Sequence, residues 1–176
     1  MSAGRKNNSP TKHWNTPPKI LAVVREFFGG RIDLDPCSNE HSLVDASVQY
    51  KLPEDGLALE WFGNVFCNPP YGRNPENKTS LLNWTNKAAE SLAEIIMLIP
   101  VATNTRHFYR IWETAQCVCF LKDSRLKFWI DGKEDKKGAP MACCLVYWGS
   151  NSERFNKQFS SLGKCLIINP PCEKKV

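Results

Sequence analysis

The apolar residues of this chain change period several times, and the order of those changes limits the fold more than any other feature. Ile20, Leu21, Val24, Phe27 and Phe28 recur at helical spacing. Thr16 is a good N-cap before them, Pro17 suits the first helical position, and Gly29-Gly30 stops the helix. A short strand, Arg31–Leu34, follows and ends at Asp35-Pro36. Gly63–Cys67 is a second apolar run, closed by Asn68-Pro69-Pro70. Ser80–Leu92 reads as a helix, Glu94–Ile99 as a buried strand ended by Pro100, and Thr105–Thr114 as a helix. Cys117–Leu121 and Met141–Trp148 read as strands, with a short one around Leu126–Ile130. Ser152–Leu162 reads as a helix and Lys164–Ile168 as the last strand. Strands first alternate with helices and then crowd together. That order predicts an α/β fold, a single Rossmann-like domain with a mixed sheet and an antiparallel C-terminal hairpin.

Composition fits one such domain. The chain has 176 residues, 42% hydrophobic and 23% charged, which argues against a disordered or collagen-like chain. No composition break divides it, so the domain is expected over residues 13–169, with a polar arm at 1–12 and a basic tail at 170–176. No apolar run approaches the ~20 residues of a membrane helix, and the first residues lack the apolar stretch of a signal peptide. A cytoplasmic protein without a membrane partner is expected. The 8 cysteines then read as small buried hydrophobes in a reducing compartment rather than as disulfides. No cysteine pair has the spacing of a zinc knuckle and the 3 histidines are scattered, so no metal is expected. The net charge of +5 is compatible with nucleic acid.

The stretch Val65-Phe66-Cys67-Asn68-Pro69-Pro70-Tyr71-Gly72 carries the chemistry. Prolines at a strand end remove two backbone donors and leave carbonyls free to accept. Asn68 adds a side-chain carbonyl acceptor, and Tyr71 a flat face on which a base can stack. An aromatic amine is a weak nucleophile because its lone pair is delocalised into the ring. Two acceptors on its N–H groups localise that lone pair and stabilise the positive charge that develops when it attacks a methyl group. The proton can leave afterwards, so no strong base is needed.

Residues 14–148 resemble the phage-type DNA adenine-N6 methyltransferases. Trp14-Asn15-Thr16-Pro17 resembles that family's Trp-x-Thr-Pro, and Ile32-Asp33-Leu34-Asp35-Pro36-Cys37-Ser38 its Leu-Asp-Pro/Ala segment. Tyr50, Asp55-Gly56-Leu57, Trp61 and Asn68-Pro69-Pro70-Tyr71-Gly72 follow in the family's order. Pro100–Phe108 resembles its Pro-Ala-x-Thr-x-Thr-x-Trp-Phe, and Ser124–Phe128 its Gly-Arg-Leu-x-Phe. The resemblance implies the methyltransferase sheet and S-adenosylmethionine as methyl donor, with no metal. It implies that Asn68, Pro69, Pro70 and Tyr71 hold a flipped adenine, with Asn68 and the Pro69 carbonyl on its amine. Asp35, with Pro36 beside it at the end of the first strand, would accept from the donor's ammonium or ribose. Asp55 would bond the donor's adenine amine, and Trp14, Thr16 and Pro17 would wall its methionine end.

The chain departs from the pattern in places. No Gly-rich loop follows the first strand, and the span from Asp35 to Asn68 is short. Asp33, Glu54 and Asp55 are the candidates for the usual second acidic residue. His107 and Ser124 stand where the family has Trp and Gly. Double-stranded DNA is the expected partner, with no obligate protein partner. Arg73, Arg106, Arg125 and Lys127 are the expected DNA contacts, alongside Lys78, Arg110 and a basic Gly132–Gly138 loop. The enzyme is expected to be phage or prophage encoded and to work in a bacterial host. The alternatives are an RNA-base or protein-glutamine methyltransferase using the same motif, or an inactive DNA-binding relative.

Overall fold

The computed structural model describes residues 14–73, 78–123, 125–130 and 132–169. The arm at 1–12, the tail at 170–176 and Ser124 lie outside them. In chain order the elements are α1 (Pro18–Phe27), β1 (Leu34–Asp35), β2 (Val48–Gln49), β3 (Asn64–Cys67), α2 (Leu81–Glu90), β4 (Glu94–Pro100) and α3 (Arg106–Thr114). Then come β5 (Cys117–Leu121), β6 (Trp129–Ile130), β7 (Lys133–Glu134), β8 (Cys143–Trp148), α4 (Ser152–Phe159) and β9 (Gly163–Ile167). Seven strands form one sheet in the order β2-β1-β3-β4-β8-β5-β9, and β6 pairs with β7 apart from it.

The sheet has two halves. β2, β1, β3 and β4 are parallel neighbours. β8 runs antiparallel to β4 and to β5, and β9 antiparallel to β5. The antiparallel end expected from the sequence is therefore built with β5 between β8 and β9. β8 is buried along its whole length, as expected of a strand covered on both faces. On one face, Leu145 and Tyr147 join Ile20, Val24 and Phe27 of α1 and Phe155 and Phe159 of α4. On the other, Val146 and Trp148 join Trp84 of α2 and Phe108 and Ile111 of α3. α2 is opened by Ser80, whose backbone N–H donates to Asn83 Oδ1 at 3.0 Å.

Three local features differ from the sequence expectation. The N-cap of α1 is Pro17, not Thr16. A residue before proline is driven out of the helical region, so Thr16 stays outside the helix and its hydroxyl caps nothing. β2 is a strand that the apolar runs do not announce. Its signal is the alternation Val44, Ala46, Val48, of which the first two are buried. The expected strand at Leu126–Ile130 is narrower, Trp129–Ile130, and pairs with β7 to make a hairpin that includes Lys133.

Candidate functional site

β1, β3, β4 and β5 all run the same way, so their C-terminal ends meet along one edge of the sheet. From β1 the chain moves outward to β2 and then returns to the other side of β1 with β3. The strand order thus reverses between β1 and β3. Open α/β sheets bind ligands outside such a reversal, at the carboxyl ends of the strands. Asp35 is the last residue of β1, and Asn68 follows the last residue of β3.

The side-chain amide of Asn68 is held on both sides. Its Nδ2 donates to the Trp14 carbonyl at 2.7 Å, and its Oδ1 accepts from the Tyr71 hydroxyl at 2.9 Å. A carbonyl can only accept, so the amide cannot be turned round without setting oxygen against oxygen. Burial pushes the Tyr71 phenol well above its ordinary pKa, so it remains a donor at neutral pH. Oδ1 uses one lone pair on Tyr71 and keeps the other for a second donor. Pro69 beside it is buried, and Pro70 is exposed.

Trp14, Asn15 and Thr16 form an extended strap across this edge. Asn15 and Trp129 of β6 exchange both backbone hydrogen bonds, each 2.9 Å. The Trp14 ring stacks on Phe128 at 5.2 Å between centroids and meets the Tyr71 ring edge-on at 6.2 Å. The sequence marked Trp14 and Tyr71 separately; the structure puts them in one aromatic cluster with Phe128. Tyr71 is partly buried in that cluster.

Asp35 is 3% exposed. Its Oδ2 accepts from the Ser42 hydroxyl at 3.1 Å and its Oδ1 from the Cys37 N–H at 3.3 Å. Burial outweighs these bonds and raises its pKa to about 6. No cation is paired with it among the described residues. Cys37 also lies 3.6 Å, sulfur to sulfur, from Cys67 at the end of β3. Gly56 packs so closely on the Pro36 carbonyl that a Cβ would come within 1.7 Å of it. That contact brings the Asp55 turn to the end of β1. The exposed Asp55 side chain accepts from the Leu57 N–H at 3.0 Å. Asp33 instead pairs with Arg31 at 2.7 Å and accepts from the Asn64 N–H, at the N-terminal ends of β1 and β3.

Three buried donors on the strap have no acceptor among the described residues: Trp14 Nε1, Asn15 Nδ2 and Thr16 Oγ1. A buried donor without a partner is costly, so such groups call for an explanation. Next to an unpaired buried carboxylate, they fit a ligand that brings both acceptor atoms and a positive charge. Pro17 is buried behind them.

The expected nucleic-acid contacts share the same edge. Arg73 stands two residues after Tyr71, and Arg106 opens α3 after β4. Arg125 and Lys127 lie between β5 and β6, and all four are exposed. Arg125 and Lys127 line a cavity of about 260 Å³ with Lys19, Asp123 and Glu134. Lys127 pairs with Glu134 at 3.5 Å, and Lys19 with Asp123. His107 is half-buried, with Nδ1 3.0 Å from the Thr105 hydroxyl, and burial lowers its pKa. No three His, Cys, Asp or Glu side chains come together as a metal site among the described residues. No helix among them is long and apolar enough to cross a membrane.

Sequence reasoning missed Asn15 and Ser42. Ser42 belongs to no motif, and the signal for Asn15 is only its place at the variable position of Trp-Asn-Thr-Pro. Phe128 was visible in Arg125-Leu126-Lys127-Phe128, but its contact with Trp14 joins distant parts of the chain and has no local mark.

Comparison with known proteins agrees with this geometry. A family model described as DNA N-6-adenine-methyltransferase (Dam) matches residues 4–164. A protein of Haemophilus phage HP1 (strain HP1c1) named DNA N-6-adenine-methyltransferase is 26% identical over 130 residues, which cover 73% of this chain and 72% of that protein.

Proposed function

We propose a mechanism for a chain that belongs to the DNA N-6-adenine-methyltransferase (Dam) family and is therefore an enzyme, a methyltransferase acting on adenine in DNA. Membership in a methyltransferase family implies S-adenosylmethionine as methyl donor in general terms. The reaction proposed is methylation of the exocyclic amine of an adenine turned out of double-stranded DNA. Turning out is required because that amine is paired inside the duplex and the attack needs in-line access.

The observation that carries the reading is the fixed amide of Asn68 at the strand-order reversal. Its spare lone pair accepts from one N–H of the adenine amine, and the Pro69 carbonyl accepts from the other. Together they localise the nitrogen lone pair and stabilise the charge that grows as the N–C bond forms. Pro70 shapes the turn, and Tyr71 orients Asn68 and offers ring surface to the base. When bound, the donor supplies a methyl group on a sulfonium, whose C–S electron pair returns to sulfur as the methyl leaves. The proton departs from the amine afterwards.

The donor site proposed lies between the strap and the end of β1. Asp35 accepts from the donor's ammonium, Pro36 and Asp55 border its nucleoside end, and Trp14, Thr16 and Pro17 enclose its methionine end. The unpaired buried donors on the strap and the uncompensated carboxylate support this placement. Arg73, Arg106, Arg125 and Lys127 hold DNA phosphates along the same edge. The enzyme works in the cytoplasm of a bacterial host, phage or prophage encoded, a setting supported by the phage relative.

The test is methyl transfer from labelled S-adenosylmethionine to unmethylated duplex DNA with nucleoside analysis of the product. N6-methyladenine is the expected label. Label confined to RNA or to protein glutamine would contradict the reading.

A further inference from the structure

Asn15 is 4% exposed, and its amide has a fixed sense. The His41 N–H donates to Asn39 Oδ1 at 2.9 Å, and a backbone N–H can only donate. Asn39 therefore turns its Nδ2 outward, where it donates to Asn15 Oδ1 at 2.8 Å. Asn15 must present its oxygen there, which leaves its Nδ2 pointing elsewhere, buried and without an acceptor among the described residues.

Through its bond to Asn39, the Asn15 side chain meets the loop that leaves β1 directly after Asp35. Asp35 repels an anion and attracts a cation. A bound amino acid with its ammonium at Asp35 carries its carboxylate one carbon away, next to the strap. The positive end of α1, which begins at Pro18, favours an anion at that position.

We infer that Asn15 Nδ2 is the hydrogen-bond donor for the α-carboxylate of the methyl donor's amino-acid end, and that Asn39 is the positioning residue that aims it. This rests on the donor site proposed above. It adds a binding residue that stands in the variable position of Trp-x-Thr-Pro.

Two ligands separate the ends of the donor. S-adenosylhomocysteine carries the amino-acid end, whereas 5′-methylthioadenosine lacks it and keeps the nucleoside. Asn15→Asp is nearly isosteric and preserves the acceptor for Asn39, while replacing the free N–H by a negative oxygen. Calorimetry on the full chain is expected to show S-adenosylhomocysteine binding weakened at least about tenfold. Binding of 5′-methylthioadenosine is expected to change less than about twofold. Asn39→Ala releases the amide to rotate and is expected to weaken S-adenosylhomocysteine alone, by about threefold; it also serves if Asn15→Asp fails to fold. Equal losses for both ligands, or no loss for either, would overturn the inference. Failure of the unsubstituted chain to bind either ligand would instead overturn the donor site on which it rests.

Discussion

The parallel and antiparallel halves of the sheet are made of similar apolar strands and put to different uses. β1 and β3, of 2 and 4 residues, stop short, β1 at the buried Asp35 and β3 at Cys67 just before Asn68. β8 and β5, of 6 and 5 residues, carry four buried cysteines among Val, Leu and Tyr and lie between helices and neighbouring strands. In the first half, groups that are costly to bury, Asp35 and the strap donors, are held in place. In the second, the buried polar atoms are few and mostly bonded, as when the Cys117 and Cys119 thiols reach carbonyls of α4. The difference teaches that stability and chemistry are separated by strand: the antiparallel half holds the domain together so that the parallel half can carry polar groups that are costly to bury.

Substitutions that strike one half and spare the other would sharpen this division, and crossed effects would break it. Asn68→Ala is expected to have the largest effect, slowing methyl transfer about a thousandfold, or about 4 kcal/mol at the transition state. Thermal unfolding and donor affinity should barely move; near-normal turnover would remove Asn68 from the acceptor role. Leu145→Ala in fully buried β8 should do the reverse. A loss of about 3.5 kcal/mol in denaturant unfolding is expected, with the transfer rate per folded molecule unchanged.

Asp35→Asn should have a comparable but pH-dependent effect. The folded carboxyl keeps its proton up to about pH 6, against an ordinary value of 3.8. Between those values the native state binds the extra proton, so this group makes stability fall as pH rises. The swing is on the order of 3 kcal/mol, and Asp35→Asn should abolish it. Unfolding curves at pH 4 and pH 6.5 measure the slope directly; an identical slope in the variant would mean the carboxyl is not buried as described. Tyr71→Phe should be smallest. It removes one of the two bonds on the Asn68 amide and should slow single-turnover transfer about fivefold, near 1 kcal/mol. A loss as large as that of Asn68→Ala would give the phenol a role of its own.

Much of this was legible in the sequence because it is written in local patterns. The helical period of Ile20–Phe28 and the buried runs at Glu94–Pro100 and Cys143–Trp148 are local signals, and each became an element of the expected type. Asn68 was legible because prolines mark a strand end whatever surrounds it. The strap was not. Its bonds join Trp14 to Asn68, Asn15 to Trp129 and Asn15 to Asn39. Those contacts depend on which strands neighbour each other, and no single segment encodes that. Thr16 was misplaced for a similar reason: its N-cap preference is real, but the steric effect of Pro17 overrides it. β2 is only 2 residues long, too short for its alternation to stand out from a loop.

The most direct test of where the chemistry lies is amide hydrogen exchange with and without S-adenosylhomocysteine. The account predicts slowed exchange at residues 14–16, at 37–39 and at Asn68 and Tyr71, with α4 and β9 unchanged. Slowing confined to α4 and β9, with the strap and the ends of β1 and β3 unaffected, would contradict it.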